Sequence, residues 1–140
     1  MIQEDYVSLE TAKLLKTKGF NEECDNAYFN GTLVDYTMFG FCIGDELLSS
    51  PTHQMTLKWL REEHECPIEI LWHWDADNQQ EEWYFQHHME LKPVAPVEYY
   101  DTYEEATETA IKYCLNIIDT DSNLSYDELC EKAEKENEYD

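Results

Sequence analysis

The chain is 140 residues long, 42% apolar and 14% aromatic, with four glycines and four prolines, a composition that excludes a fibrous or disordered protein. At this length a single core is expected, burying roughly 70% of the surface of the extended chain. The 32 acidic side chains against 9 basic ones give a formal charge of −23, which excludes direct binding of nucleic acid or anionic membranes, because lysine and arginine supply nearly all of that affinity.

In chain order, Leu9, Ala12 and Leu15 recur at three-residue steps behind a capping Ser8, and Gly19 is placed to stop the run; this predicts a helix over about 9–18. Aromatics interleaved with Gly31, Gly40 and Gly44 predict short strands within 28–43 around an Asn30-Gly31 turn. Ser50 before Pro51, followed by Met55, Leu57, Trp59 and Leu60, predicts a helix over 51–64 with serine as its cap. The period then changes. Ile68, Ile70, Trp72 and Trp74 alternate with Glu69, Leu71, His73 and Asp75, and Trp83, Phe85, His87 and Met89 alternate with Tyr84, Gln86, His88 and Glu90, so an antiparallel hairpin is expected over about 68–75 and 82–91. An isolated hairpin is marginal in water, so its aromatic face needs a helix laid across it. Pro93 and Pro96 mark an extended crossing segment. Thr102 with Glu105 forms a capping box for a helix over about 103–118, whose inward stripe is Tyr103, Ala106, Ala110, Ile111, Cys114 and Ile118. Ser125 with Glu128 opens a short C-terminal helix near 126–135. The expected fold class is α+β: a small antiparallel sheet packed against three helices, in one domain over 1–120 with an acidic C-terminal extension over 121–140.

Chemistry-bearing patterns are sparse. The five cysteines are odd in number and no two have the two-residue spacing of a zinc knuckle or redox pair, which suits free thiols in the reducing cytoplasm. Residues 1–20 hold Glu4, Asp5, Glu10 and three lysines without an apolar run, so no signal peptide is expected, and no stretch of about 18 apolar residues occurs to span a membrane. His73, His87 and His88 beside Asp75 and Asp77 form the one cluster resembling metal ligands. Adjacent strand residues point to opposite faces, however, and zinc needs three or four convergent ligands. No metal, cofactor or catalytic set is therefore expected. Glu62-Glu63-His64-Glu65 lacks the second histidine of a zinc-protease helix, and Cys42 sits among apolar neighbours that predict an inert thiol. Asp119, Asp121, Asn123 and Ser125 have the spacing of a calcium loop without its glycine or closing glutamate. Large rings are more numerous than one small core requires. Trp72, Trp74, Tyr99 and Tyr100 are the candidate interaction residues, set against the plainer reading that some rings cover the second face of the sheet.

Three segments carry a resemblance. Val7 to Lys16 with Gly19-Phe20, Pro51 to Glu62, and Tyr103 to Leu115 together resemble a set of small proteins of phages, prophages and mobile elements of gut bacteria that have no assigned activity. The resemblance implies a genomic setting rather than a mechanism. With the charge and the absent catalytic set, it leads to the expectation of a non-enzymatic module that binds a basic protein surface, for instance by mimicking nucleic acid on a host factor. The alternatives are an oligomeric structural component joined through exposed rings, and a small histidine/carboxylate metal-binding protein or enzyme.

Overall fold

The structure is a computed structural model and describes residues 2–35 and 47–118. It is α+β, and the chain groups into two compact units, Met1–Lys58 and Trp59–Asp140. No helix among the described residues is long and apolar enough to cross a membrane.

In the first unit α1 spans Leu9–Thr17. The Ser8 hydroxyl accepts from the Thr11 N–H at 3.2 Å, satisfying an otherwise orphaned amide of the first turn. At the other end Gly19 takes φ +94°, and the Phe20 N–H reaches back to the Leu15 carbonyl at 2.9 Å, closing a Schellman turn. Leu15 and Phe20 occupy the two positions whose apolar contact accompanies this motif, and both are buried.

Three short strands follow: β1 (Asn26–Phe29), β2 (Thr32–Asp35) and β3 (Leu47–Ser50). They form an antiparallel sheet in the order β2-β1-β3. Between β1 and β2, Asn30 and Gly31 both have positive φ (50° and 82°), the requirement of a two-residue hairpin turn whose twist matches its strands. The expected Asn30-Gly31 turn is thus present. The part of the expected strand region over 36–43 lies outside the described residues, as do Cys42, the calcium-like run from Asp119 and the helix expected near 126–135.

Helix α2 runs over His53–Glu63 and carries the chain from the first unit into the second. It starts later than its sequence suggests. Ser49 and Ser50 are the last residues of β3, with Ser50 paired to Asn26, and the Ser50 hydroxyl donates to the Val7 carbonyl at 3.2 Å. Val7 also donates its N–H to the Pro51 carbonyl at 3.1 Å. These pairings hold 49–51 extended, and the cap falls to Thr52, whose Oγ1 accepts from the Met55 N–H at 3.1 Å. Local cap chemistry yields here to the ladder, because leaving buried backbone groups unpaired costs more than moving a cap by two residues.

The second unit contains β4 (Ile68–Asp75), β5 (Gln80–His87) and α3 (Tyr103–Ile117). β4 and β5 form a second, separate sheet among the described residues, with Ile68 opposite His87 and Asp75 opposite Gln80. α3 starts at Thr102, whose hydroxyl accepts from the Glu105 N–H at 3.0 Å, and Glu104 and Glu105 complement the helix dipole. Its fully buried Ala110 packs with Phe85 and Ala95, flanked by Ile68, Ile70, Tyr100 and Tyr113. The buried stripe is wider than the periodicity suggests, taking in Thr107, Leu115 and Ile117, while Tyr103 and Ile118 are half-buried.

β5 ends at His87 rather than continuing to 91. The His87 ring explains the departure: its Nε2 donates to the Pro93 carbonyl at 2.7 Å, and its Nδ1 accepts from the Met89 N–H at 3.3 Å. That pair folds 88–93 back on the strand end, and Leu91 takes the left-handed region there at φ 59°.

Candidate functional site

The hairpin tip is built by one aspartate. Asp75 accepts from the backbone N–H groups of Asp77 (3.0 Å) and Asn78 (3.3 Å) through one oxygen, and from the Asn78 side-chain amide (2.8 Å) through the other. Hydrogen bonding by Asn78 above all holds the Asp75 carboxyl below its ordinary pKa. With Gln79 at φ 52°, the turn sets the register that places Trp72 opposite Trp83 and Trp74 opposite Glu81.

One face of this hairpin carries Ile68, Ile70, Trp72 and Trp74 with Glu81, Trp83, Phe85 and His87. α3 covers only part of it. Ile68, Ile70 and Phe85 pack into the α3 cluster, and Trp83 meets the Tyr103 ring edge-on at 5.4 Å. Trp72 and Trp74 stay 55% and 49% exposed. Their rings stack at 6.4 Å with 29° between planes, and the Trp72 indole N–H donates to Glu81 Oε2 at 3.2 Å. Two exposed indoles stacked at a shallow angle, with a carboxylate at the edge of Trp72, present electron-rich faces beside negative charge. Such an arrangement attracts a cation.

Tyr99 and Tyr100 separate onto opposite faces. The Tyr100 backbone bridges Trp83, donating to its carbonyl at 2.7 Å and accepting from its N–H at 2.8 Å, which extends the sheet by one residue beyond β5. The Tyr100 ring stacks on Phe85 at 6.4 Å on the α3 side. Its phenol is raised above the ordinary value, by burial first and then by Glu98. The Tyr99 ring lies on the other face, 4.6 Å from His73 and 5.7 Å from Tyr84, so it covers the second face of the sheet while remaining 49% exposed. The structure brings Trp72 and Trp74 together and puts the two tyrosines elsewhere. Glu81 is the site residue that sequence reasoning passed over. Only the register shows that it shares a face with the tryptophans, and the length of the polar turn left that register open.

The three histidines do not converge. His87 is buried on the α3 face with both ring nitrogens engaged and its ring stacked on Tyr113 at 5.6 Å; burial, followed by the neighbouring His88, pushes its pKa down. His88 lies beyond the strand end and bonds Glu69 at 2.6 Å. His73 points to the Tyr99 face, its Nδ1 3.5 Å from Glu82 Oε2, and that nitrogen is buried without a hydrogen bond among the described groups. No group of three or more histidine, cysteine or acidic side chains suited to a metal occurs among the described residues. His64 packs edge-on against Trp59 at 4.6 Å.

Among the described residues the thiols are equally suppressed. Cys66 and Cys114 are both fully buried, and contact with Cys66, then burial, drives the Cys114 thiol strongly upward. Burial, then Asp25 and Glu22, pushes the Cys24 thiol up to about 11. Neither setting produces a thiolate nucleophile at neutral pH. Two recesses of about 250 and 540 Å³ lie beside α1 in the first unit, lined by residues such as Lys16, Leu48, Lys13 and Tyr28. Among the described residues neither lining includes a histidine, cysteine or carboxylate.

No family model, curated protein or solved structure matches this chain.

Proposed function

We propose that this chain is a non-enzymatic interaction protein of a phage or mobile element, acting in the cytoplasm by engaging a basic protein surface, such as the nucleic-acid-binding face of a host factor. The observation that carries the reading is the exposed Trp72–Trp74 stack with Glu81 at its edge, on a chain of net charge −23. Exposed tryptophan is costly to leave in water and is enriched at binding hot spots. Carboxylates around it favour lysine or arginine as the incoming group, through long-range attraction during encounter and through cation–π contact once docked.

Each part has its own magnitude. Electrostatic steering raises the association rate and falls steeply with salt, because charges more than about 10 Å apart are screened at 0.1 M. The tryptophan contacts act over short range and determine the residence time; a desolvated cation–π pair contributes about 2 kcal/mol. Charge alone therefore gives a fast, weak, salt-sensitive encounter, and the two indoles supply its hold.

Titration of the full chain with an oligolysine of about ten residues, and separately with a purified basic nucleic-acid-binding protein, followed by tryptophan fluorescence, tests the reading. Binding is expected at low ionic strength, weakening as salt rises, with at least about a tenfold loss in the Trp72→Ala/Trp74→Ala double variant. Absence of binding to both probes at low salt removes the proposal. Equal binding by the double variant removes the tryptophans from it.

A further inference from the structure

The backbone of β4 carries more information than its side chains. In an antiparallel ladder the N–H and C=O of one residue point to the same side, and the side alternates from residue to residue. Both groups of Trp83 are committed to Tyr100, at 2.8 and 2.7 Å, and so turn away from β4. Trp72, directly opposite Trp83, therefore belongs to a pair without mutual hydrogen bonds, and its own N–H and C=O turn away from β5. The same parity holds for Ile70 and Trp74. The far end agrees, because the His88 N–H reaches the Pro67 carbonyl at 2.9 Å, which makes the odd-numbered positions of β4 the paired ones. Among the described residues no strand or isolated bridge pairs with the outer edge of β4.

That edge is eight residues long, pairs in continuous register and contains no lysine, proline or bulge; its charges, Glu69 and Asp75, are acidic, so they oppose pairing with another acidic strand and admit a basic one. The residues presenting outward backbone groups include Trp72 and Trp74, the two exposed indoles. We infer that β4 receives an extended, basic segment of a partner protein as an added strand, hydrogen-bonded to Ile70, Trp72 and Trp74. This inference rests on the proposed engagement of a basic surface and specifies its geometry.

The pleat then dictates the partner. The added strand is antiparallel to β4, so a residue whose N–H faces Trp72 has its side chain on the Trp72 face, and lysine or arginine at alternate positions lies against the two indoles and Glu81. Side chains at the intervening positions fall on the other face, beside Glu69 and Asp75. Both faces of the added strand thus meet carboxylates, which is the complementarity that selects a basic occupant. A second copy of this chain would instead bring Glu69, Asp75 and Glu81 against their equivalents, with a formal charge of −23 on each molecule.

The test uses the full chain and an alternating lysine–valine peptide of about eight residues, unmodified, N-methylated on the lysine amides, or N-methylated on the valine amides. All three carry the same charge. The lysine-methylated peptide is expected to bind at least about tenfold more weakly than the unmodified one, and the valine-methylated peptide within about threefold of it. Equal affinity of the three overturns strand addition while leaving a charge-driven basic-surface interaction standing, whereas no binding by any of them removes both. On the protein side, Trp74→Val and Trp74→Pro both remove the indole, but only proline removes the outward N–H, and it does so without touching the ladder to β5. The proline variant is expected to bind several-fold more weakly than the valine variant; identical binding overturns the inference. Dimerisation of the wild-type chain that Trp74→Pro abolishes, seen by light scattering, assigns the edge to a second copy and overturns the basic occupant.

Discussion

Gly19 and His87 show how single residues decide where elements stop. At Gly19 the φ of +94° is required by the Schellman turn, and nothing lies within 4 Å of where a Cβ would stand. Gly19→Ala therefore meets no steric obstacle and loses only the conformational term. It is expected to cost about 1 kcal/mol, read as a shift in the urea midpoint without a change in slope. His87 acts through chemistry instead. With Nδ1 accepting from Met89 and Nε2 donating to Pro93, the folded state holds the neutral ring, and its pKa is depressed by burial. Its contribution is complete above the ordinary histidine value of 6.5 and is lost as pH falls from there toward the depressed folded value, because the unfolded chain takes up a proton that the folded one does not. A glutamine side chain at this position offers one donor and one acceptor without titrating. Urea midpoints measured from neutral to mildly acidic pH are expected to fall more steeply for wild type than for His87→Gln. Parallel curves would show that the ring does not carry this pH dependence.

At the scale of elements, the two sharpest structural devices are the cap of α3 and the tip of the hairpin. Thr102→Ala removes the acceptor for the Glu105 N–H and is expected to destabilise the chain by about 1 kcal/mol, with Thr102→Ser restoring it. Asp75→Ala removes all three hydrogen bonds that close the turn between β4 and β5, so faster amide exchange is expected at the paired positions of β4 nearest the turn. The folded Asp75 carboxyl is held below its ordinary pKa, so its support is full above the ordinary carboxylate range and is lost as pH drops through the folded value. Exchange rates that are unchanged in the variant would show the strands to be held by packing on α3 alone.

At the scale of the whole molecule, the formal charge of −23 opposes compactness, because like charges are closer together in the folded chain than in the unfolded one. Raising sodium chloride from about 20 mM to about 500 mM is expected to raise the melting temperature while weakening any basic ligand. Stability and binding should therefore move in opposite directions with salt, a combination that distinguishes an electrostatic ligand from one held by apolar contact. A melting temperature insensitive to salt would mean that the acidic groups are spaced widely enough for water to screen them.

The positions of the three described helices, the alternating hairpin strands, the Asn30-Gly31 turn and the capping by Ser8, Gly19 and Thr102 were legible in the sequence, because each depends on residues within a few positions of one another. Where long-range pairing competes with local preference, the local reading gave way. Ser50 joined β3 instead of capping α2, and His87 ended β5 by bonding Pro93. The sequence could count the surplus aromatic rings but could not assign their faces, since a strand's neighbours depend on register and on how far a helix reaches across it. Tertiary structure alone decided that α3 stops covering the hairpin at Trp83 and that Trp72 and Trp74 stay in solvent beside Glu81. It also decided that the backbone edge left unpaired among the described residues belongs to the strand that carries them.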